Sequence, residues 1–133
     1  VTAYAGLEKS AITPETEYVC NGVFHVKGRS DPFKCWKETG HGKVTLHDAI
    51  KGSCNVFFYN TGMGAGVDAL HKYASLFRLG KLTGVGLLNE KAGLIPSSSW
   101  KKRVLKEGLR FLGDFELQDS LGIFFICKNF VNL

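Results

Sequence analysis

The chain has 133 residues, 44% of them hydrophobic and 22% charged, which is typical of one globular domain or part of one and excludes a disordered tail. No apolar run reaches the roughly 18 residues that are needed to cross a bilayer. The net charge of +5 comes from dispersed lysines and arginines, with one small cluster at Lys101-Lys102-Arg103. Nucleic-acid binding is not expected, because no basic stripe alternates with aromatic residues.

The first half of the chain is predicted to contain one helix and one β-hairpin. Apolar residues with helical spacing predict a helix over residues 1–11, which Thr13-Pro14 ends. Residues 18–20 and 23–26 alternate like short strands around Asn21-Gly22, a dipeptide that is typical of hairpin turns.

Helices predominate in the second half. Thr45, followed three residues later by Asp48, predicts a capped helix start, and Gly52 ends this short helix. A second helix begins within residues 56–60 and ends at the glycines 62, 64 and 66. A third helix has Gly80 as its predicted C-cap. Its apolar face consists of Val67, Leu70, Ala74 and Phe77.

A last helix is predicted over residues 100–106, capped by the serines at 97–99. The large aromatic residues are predicted to serve packing and not binding. They are Phe57, Phe58 and Tyr59 in the core, with Trp36 and Trp100 as packing residues.

Ser53-Cys54-Asn55 lies between the first two of these helices, at the tip of a tight loop. The serine and asparagine side chains then face one pocket, and Cys54 points the other way. A hydroxyl that relays a proton and an amide that holds a substrate carbonyl are groups that an acyl-transfer site needs beside its nucleophile. The alternative is that Ser53 simply caps the next helix, since a three-residue pattern often occurs by chance.

The segments around this loop resemble the transpeptidase domain of class B penicillin-binding proteins, in particular its elongation-specific branch. They occur in family order over roughly residues 1–107 and are far more specific together than singly. The matching segments are Ile12-Thr13-Pro14, Phe33-Lys34-Cys35-Trp36-Lys37, Gly40-His41-Gly42, residues 49–59, Leu79-Gly80 with Thr83-Gly84, residues 90–96 and Trp100-Lys101.

The resemblance implies an α+β fold that is mostly helical within this chain. It is part of the serine acyl-enzyme, β-lactamase-like transpeptidase fold, with a small β-hairpin near residues 18–36 and most of the central sheet missing. Residues 1–107 are expected to form a partial transpeptidase domain that contains the S-x-N motif. Residues 108–133 match the family poorly, and we interpret them either as a divergent tail or as the product of a reading-frame slip.

Enzymes of this family use S-x-x-K, which carries the nucleophilic serine and its lysine, then S-x-N, then K-T-G on a strand. Only S-x-N occurs here in a suitable place, so we expect a fragment that begins after the catalytic lysine and is inactive alone. By resemblance, the intact enzyme is a peptidoglycan D,D-transpeptidase that cross-links stem peptides and binds β-lactams. Ser53 would relay a proton between the lysine and an amine. Asn55 would bind the substrate carbonyl and help to hold the lysine.

The resemblance also implies that the intact protein belongs to the bacterial inner membrane, held by an N-terminal anchor that is missing here, with its catalytic domain in the periplasm. Its implied partner is the cell-elongation machinery. Two other functions stay open. One is a non-catalytic, zinc-stabilised binding module in which S-x-N is accidental. The other is a β-lactam sensor or hydrolase of the same fold.

Three of the four cysteines, Cys20, Cys35 and Cys54, occur within the same part of the chain as His41. Three thiolates and an imidazole are a ligand set of structural zinc, although the spacing is longer than in zinc fingers. Some elongation-type relatives, by resemblance, hold a metal at these positions with carboxylates in place of certain cysteines. A Cys20–Cys35 disulfide and unligated buried thiols are the alternatives. Cys127, in the unmatched tail, is interpreted as a small apolar residue.

Overall fold

Five helices and four short strands make up the part of the chain that the computed structural model describes, namely residues 1–28, 30–86 and 89–108. In chain order these elements are α1 (Thr2–Glu8), β1 (Tyr18–Cys20), β2 (Val23–Phe24), β3 (Phe33–Lys34), β4 (Gly42–Val44), α2 (Leu46–Lys51), α3 (Asn55–Ala65), α4 (Val67–Leu76) and α5 (Ser98–Gly108). The predicted α+β fold, mostly helical, is confirmed. The tail prediction and Cys127 lie outside the described residues, which end at 108.

The strands form two separate antiparallel pairs, β1 with β4 and β2 with β3. The hairpin predicted around Asn21-Gly22 is therefore wrong, since the strands on either side of this dipeptide belong to different sheets. Gly22 has φ +87, and its carbonyl accepts a hydrogen bond from the Cys35 N–H at 2.8 Å. The chain turns at Gly22 to meet a later segment, and the hairpin within residues 18–36 is β2–β3 instead.

Local signals fix the start of α2 more accurately than the ends of α1 and α4. Thr45 Oγ1 accepts the Asp48 N–H at 3.3 Å, and Asp48 Oδ2 accepts the Thr45 N–H at 3.4 Å, so the predicted capping box is confirmed. Helix α1 ends at Glu8 and not at residue 11, because Ser10 has a left-handed φ of +53. Helix α4 ends at Leu76 and is capped by Phe77 rather than by Gly80.

The predicted serine cap of helix α5 is confirmed, although the helix begins at Ser98 and not at residue 100. Ser97 Oγ accepts the Trp100 N–H at 3.1 Å, which is the bond expected of an N-cap side chain. The Ser98 N–H donates to Asp68 Oδ1 at 2.9 Å and thus joins the start of α5 to α4. None of the helices within the described residues is both long and apolar enough to span a membrane.

Helix α3 lies between two apolar clusters and carries buried residues on several sides, as expected of a helix enclosed by other elements. Its Tyr59 packs with α1 and α4, whereas Phe57 packs in the second cluster beneath the S-x-N loop. Both side chains are buried as predicted, and Phe58 is half-buried. Phe77, predicted on the buried face of α4, is 57% exposed and meets the ring of Tyr4 edge-on.

Candidate active-site loop and metal centre

Ser53 lies on the loop between α2 and α3, with an exposed side chain and a left-handed φ of +48. Backbone bonds close the loop tightly: the Ser53 N–H donates to Ile50 O at 3.3 Å, and the Cys54 N–H donates to Ala49 O at 2.9 Å. The N-cap residue of α3 is Cys54, and no side chain caps that helix within the described chain. The interpretation of Ser53 as a helix cap is therefore wrong, and the residue is exposed on the loop.

Asn55 is the first residue of α3, and its amide has one group bound and one open. Nδ2 donates to Lys34 O at 3.3 Å, while Oδ1 is buried and accepts no hydrogen bond from any described residue. Leaving a buried polar atom unpaired costs about 1–3 kcal/mol, so this oxygen is available to accept a hydrogen bond from a further donor. The amide also retains a second N–H that can bind a carbonyl.

Cys54 is buried on the opposite side of the loop from Ser53, as predicted. Its sulfur lies in a cluster with Cys20, Cys35 and His41, whose ligand atoms are all within 4.8 Å of one another. His41 Nδ1 is 3.6 Å from Cys20 Sγ and 3.5 Å from Cys35 Sγ. The strand pairs bring these residues together: Cys20 ends β1, Cys35 follows β3, and His41 precedes β4.

The distances in this cluster suit a tetrahedral ion. Bonds of about 2.3 Å to sulfur and about 2.0 Å to nitrogen give a sulfur–nitrogen edge of about 3.5 Å. The two measured sulfur–nitrogen distances, 3.5 and 3.6 Å, match this edge. All three cysteines are free, so the structure does not contain the alternative Cys20–Cys35 disulfide.

The surroundings of the sulfurs favour a bound thiolate at Cys35 in particular. Burial raises the pKa of Cys35, but hydrogen bonds from the backbone N–H groups of Lys37, Asn55 and Val56 outweigh this effect and hold the pKa below its ordinary value of 9.0. Two of these donors belong to the first turn of α3, where the helix dipole also favours negative charge.

Cys54 shows the opposite tendency. Burial is the main reason why its pKa rises to about 12, and the neighbouring sulfurs of Cys20 and Cys35 raise it further. Three thiolates at this spacing therefore need a positive charge among them. The donor set, its burial and its spacing fit a soft divalent cation such as zinc.

Comparison with known proteins identifies the family. Residues 1–111 match the penicillin binding protein transpeptidase domain. The chain belongs to this transpeptidase family. The resemblance predicted from the sequence motifs is thereby confirmed.

One similar protein is the peptidoglycan D,D-transpeptidase MrdA of Acinetobacter baumannii, 38% identical over 104 residues, which are 78% of this chain and 16% of that protein. The chain thus spans a small part of the curated relative. PBP2 of Pseudomonas aeruginosa, solved in complex with WCK 5153, superimposes with a TM-score of 0.73 at 29% identity and covers 92% of this chain and 26% of its own. PBP2 of Helicobacter pylori, solved in complex with MreC, gives a TM-score of 0.71 at 34% identity over 90% of this chain and 21% of its own.

Trp36 is the residue of this transpeptidase segment whose role the sequence did not reveal. It was predicted to be a packing residue, yet 61% of it is exposed. Its indole Nε1–H donates to the carbonyl oxygens of Gly52 and Ser53, both at 3.0 Å. The one feature of the sequence that could have indicated this role was the position of Trp36 next to Cys35 in a segment that matches the family. A tryptophan pattern alone does not distinguish a buried ring from a hydrogen-bond donor to a loop.

Proposed function

We propose that this chain is part of a peptidoglycan D,D-transpeptidase of the elongation-specific branch, which cross-links stem peptides through a serine acyl-enzyme and is acylated by β-lactams. The observation that carries the proposal is the form of the loop: Ser53 is exposed at its tip, while Asn55 keeps a buried acceptor open. The D,D-transpeptidase activity named for the Acinetobacter baumannii relative supports it.

In the proposed reaction, a serine of S-x-x-K attacks the carbonyl of the penultimate D-alanine of a stem peptide, and the terminal D-alanine leaves as an amine. The amine of a neighbouring stem peptide then takes the acyl group and restores the serine. Ser53 passes the proton between the lysine of S-x-x-K and the leaving or incoming amine. Asn55 Oδ1 accepts a hydrogen bond from that lysine. The second N–H of Asn55 Nδ2 donates to the substrate carbonyl. The chain alone, without S-x-x-K and K-T-G, is expected to show no turnover.

We further propose that Cys20, Cys35, His41 and Cys54 hold a zinc ion with a structural role. The burial of the three thiols, the N–H donors around Cys35 and the sulfur–nitrogen distances support this proposal. Bound zinc would supply the positive charge that three adjacent thiolates require and would tie β1 and β3 to the back of the S-x-N loop.

The location and partners follow from the same proposal. The complete protein is a bacterial inner-membrane enzyme, held by an N-terminal anchor, with its catalytic domain in the periplasm. The cell-elongation machinery is its proposed partner, because PBP2 of Helicobacter pylori was solved in complex with MreC.

A chimera tests the catalytic proposal. Residues 1–107 replace the matched segment of Acinetobacter baumannii MrdA, so that S-x-x-K and K-T-G are supplied by the relative. A fluorescent penicillin is expected to label the chimera covalently but not the 133-residue chain. Ser53→Ala and Asn55→Ala should each slow acylation on the order of 10²-fold, since they remove the relay and the positioning amide.

Ser30→Ala is the matched control, because Ser30 is an exposed serine on the loop between β2 and β3. It should be labelled at the rate of the parent chimera. Unchanged labelling of both the Ser53 and Asn55 variants would refute their roles. Rapid release of the bound penicillin would indicate a β-lactam hydrolase instead, and an unlabelled chimera would favour a non-catalytic binding module.

A further inference from the structure

Residues 34–36 run beside the S-x-N loop and meet its three residues in reverse order. At one end, the Lys34 carbonyl accepts the hydrogen bond from Asn55 Nδ2. In the middle, the sulfurs of Cys35 and Cys54 belong to the same cluster. At the other end, the side chain of Trp36 contacts the backbone of Gly52 and Ser53.

Trp36 makes this outer contact with its indole N–H. The carbonyl oxygens of Gly52 and Ser53 both lie 3.0 Å from Nε1. Two consecutive carbonyl oxygens that converge on one point repel each other unless a donor lies between them, so the indole N–H makes this loop backbone favourable. The ring also meets the His41 imidazole edge-on, with centroids 5.2 Å apart. The indole therefore joins the cysteine–histidine cluster to the backbone of Ser53.

Ser53 needs such support. Its φ of +48 lies in the left-handed region, where a residue with a Cβ atom is strained and persists only if its surroundings hold it. A hydroxyl can relay a proton only from within hydrogen-bond reach of the reacting groups. Because most of Trp36 is exposed, it adds little to the core, and its directed contacts are those to the loop and to His41.

We propose that Trp36 is a positioning residue for acyl transfer, whose indole N–H fixes the backbone of Gly52 and Ser53 and thereby the Ser53 hydroxyl. This inference rests on the proposed function of Ser53. The indole exchanges no proton with the substrate and acts entirely through the loop. Displacement of a catalytic group by about 1 Å can slow a reaction by up to about 10²-fold.

The test uses the chimera described above. Trp36→Phe keeps an aromatic ring beside His41 and removes the N–H donor, and Trp100→Phe makes the same change in α5 as a matched control. We expect Trp36→Phe to lower the limiting acylation rate constant by about tenfold, with the half-saturating penicillin concentration, zinc content and thermal midpoint kept. Trp100→Phe should leave the acylation rate constant unchanged.

A second variant isolates the single N–H group. Site-specific incorporation of β-(3-benzothienyl)alanine at position 36 replaces the N–H by sulfur and keeps the size of the ring. It should slow acylation as Trp36→Phe does. This variant decides the question if Trp36→Phe does not fold.

Two results would overturn the inference. One is acylation within about twofold of the parent in the benzothienyl variant. The other is a fall in rate that occurs only together with loss of zinc or of thermal stability, which would assign Trp36 a structural role. An unlabelled parent, or a Ser53→Ala variant as fast as the parent, would instead refute the proposed function. If Ser53→Ala is acylated more slowly than the parent but the benzothienyl variant is acylated at the parent's rate, the Trp36 inference alone is refuted.

Discussion

Gly40 and Gly42 flank His41 and form a matched pair for testing how the cysteine–histidine cluster is held. Both have positive φ, +78 and +72, so alanine has a similar conformational cost at either position, about 1–2 kcal/mol. Their surroundings differ. A Cβ atom at Gly40 would lie 2.1 Å from the Cys20 carbonyl oxygen, whereas no described atom lies within 4 Å of a Cβ atom at Gly42.

The difference in stability follows from these distances. An ordinary contact needs about 3.4 Å, so the chain at residue 40 or Cys20 must move by more than about 1 Å in Gly40→Ala. Such overpacking costs about 1–3 kcal/mol in addition to the conformational cost. We therefore expect Gly40→Ala to lower the free energy of unfolding by about 2–5 kcal/mol, and Gly42→Ala by only about 1–2 kcal/mol.

The same movement should disturb the cluster, because it displaces either Cys20 or the residue next to His41, and Cys20 Sγ lies only 3.6 Å from His41 Nδ1. Urea unfolding followed by circular dichroism measures the stability of each variant, and elemental analysis of the folded chain measures bound zinc. Gly40→Ala should lose zinc and Gly42→Ala should retain it. Equal losses of stability, with equal zinc content, would refute the reasoning that the close approach of Gly40 to Cys20 shapes the cluster.

Two further predictions concern the metal and pH. His41→Ala should lower both the zinc content and the thermal midpoint, whereas His47→Ala, at a side chain that is 84% exposed, should change neither; a parent chain that folds unoxidised without zinc would end the metal proposal. Hydrogen bonds from Ser98, the backbone N–H first, hold the pKa of Asp68 below 3.8. Because the folded-state pKa is the lower one, this carboxylate stabilises the fold above about pH 4, and the contribution is lost as pH falls through the lowered pKa. The stability difference between the parent and Asp68→Asn, from urea unfolding, should therefore shrink as the pH falls below about 4; a difference that stays the same there would contradict this account.

The features that the sequence predicted correctly depend on neighbouring residues. The capping box of Thr45 and Asp48 needs only one helical turn, and the loop at Ser53 follows from the end of α2 at Gly52. The grouping of Cys20, Cys35, His41 and Cys54 was predicted from ligand chemistry and resemblance, and the structure brings the four residues together. The family itself was recognisable because several motifs occur in order.

The features that it missed depend on partners distant along the chain. Asn21-Gly22 is a strong local hairpin signal, yet β1 pairs with β4, with the β2–β3 pair lying between them in the sequence. Trp36 was expected to be a packing residue, but most of it is exposed and its indole N–H donates to the loop carbonyls of Gly52 and Ser53. Neither the pairing nor the bond has a periodicity or spacing that could reveal it.

The position of Cys54 explains why the proposed metal centre and the proposed catalytic loop lie back to back. In an S-x-N loop the middle residue must face away from the pocket, so it is free to take a role in the interior without touching the substrate. Here that residue is the N-cap of α3, and its buried thiol belongs to the cluster formed with Cys20, Cys35 and His41.

The backbone of Ser53 is in the left-handed region, and such a strained conformation persists only where its surroundings hold it. Three features provide those surroundings: the cysteine–histidine cluster, the Trp36 indole, and the backbone hydrogen bonds from the loop to carbonyls of α2. Since Tyr59 and the contacts between α1 and α4 belong to a separate apolar cluster, loss of the metal should loosen the S-x-N loop before it loosens the packing of α1 against α4.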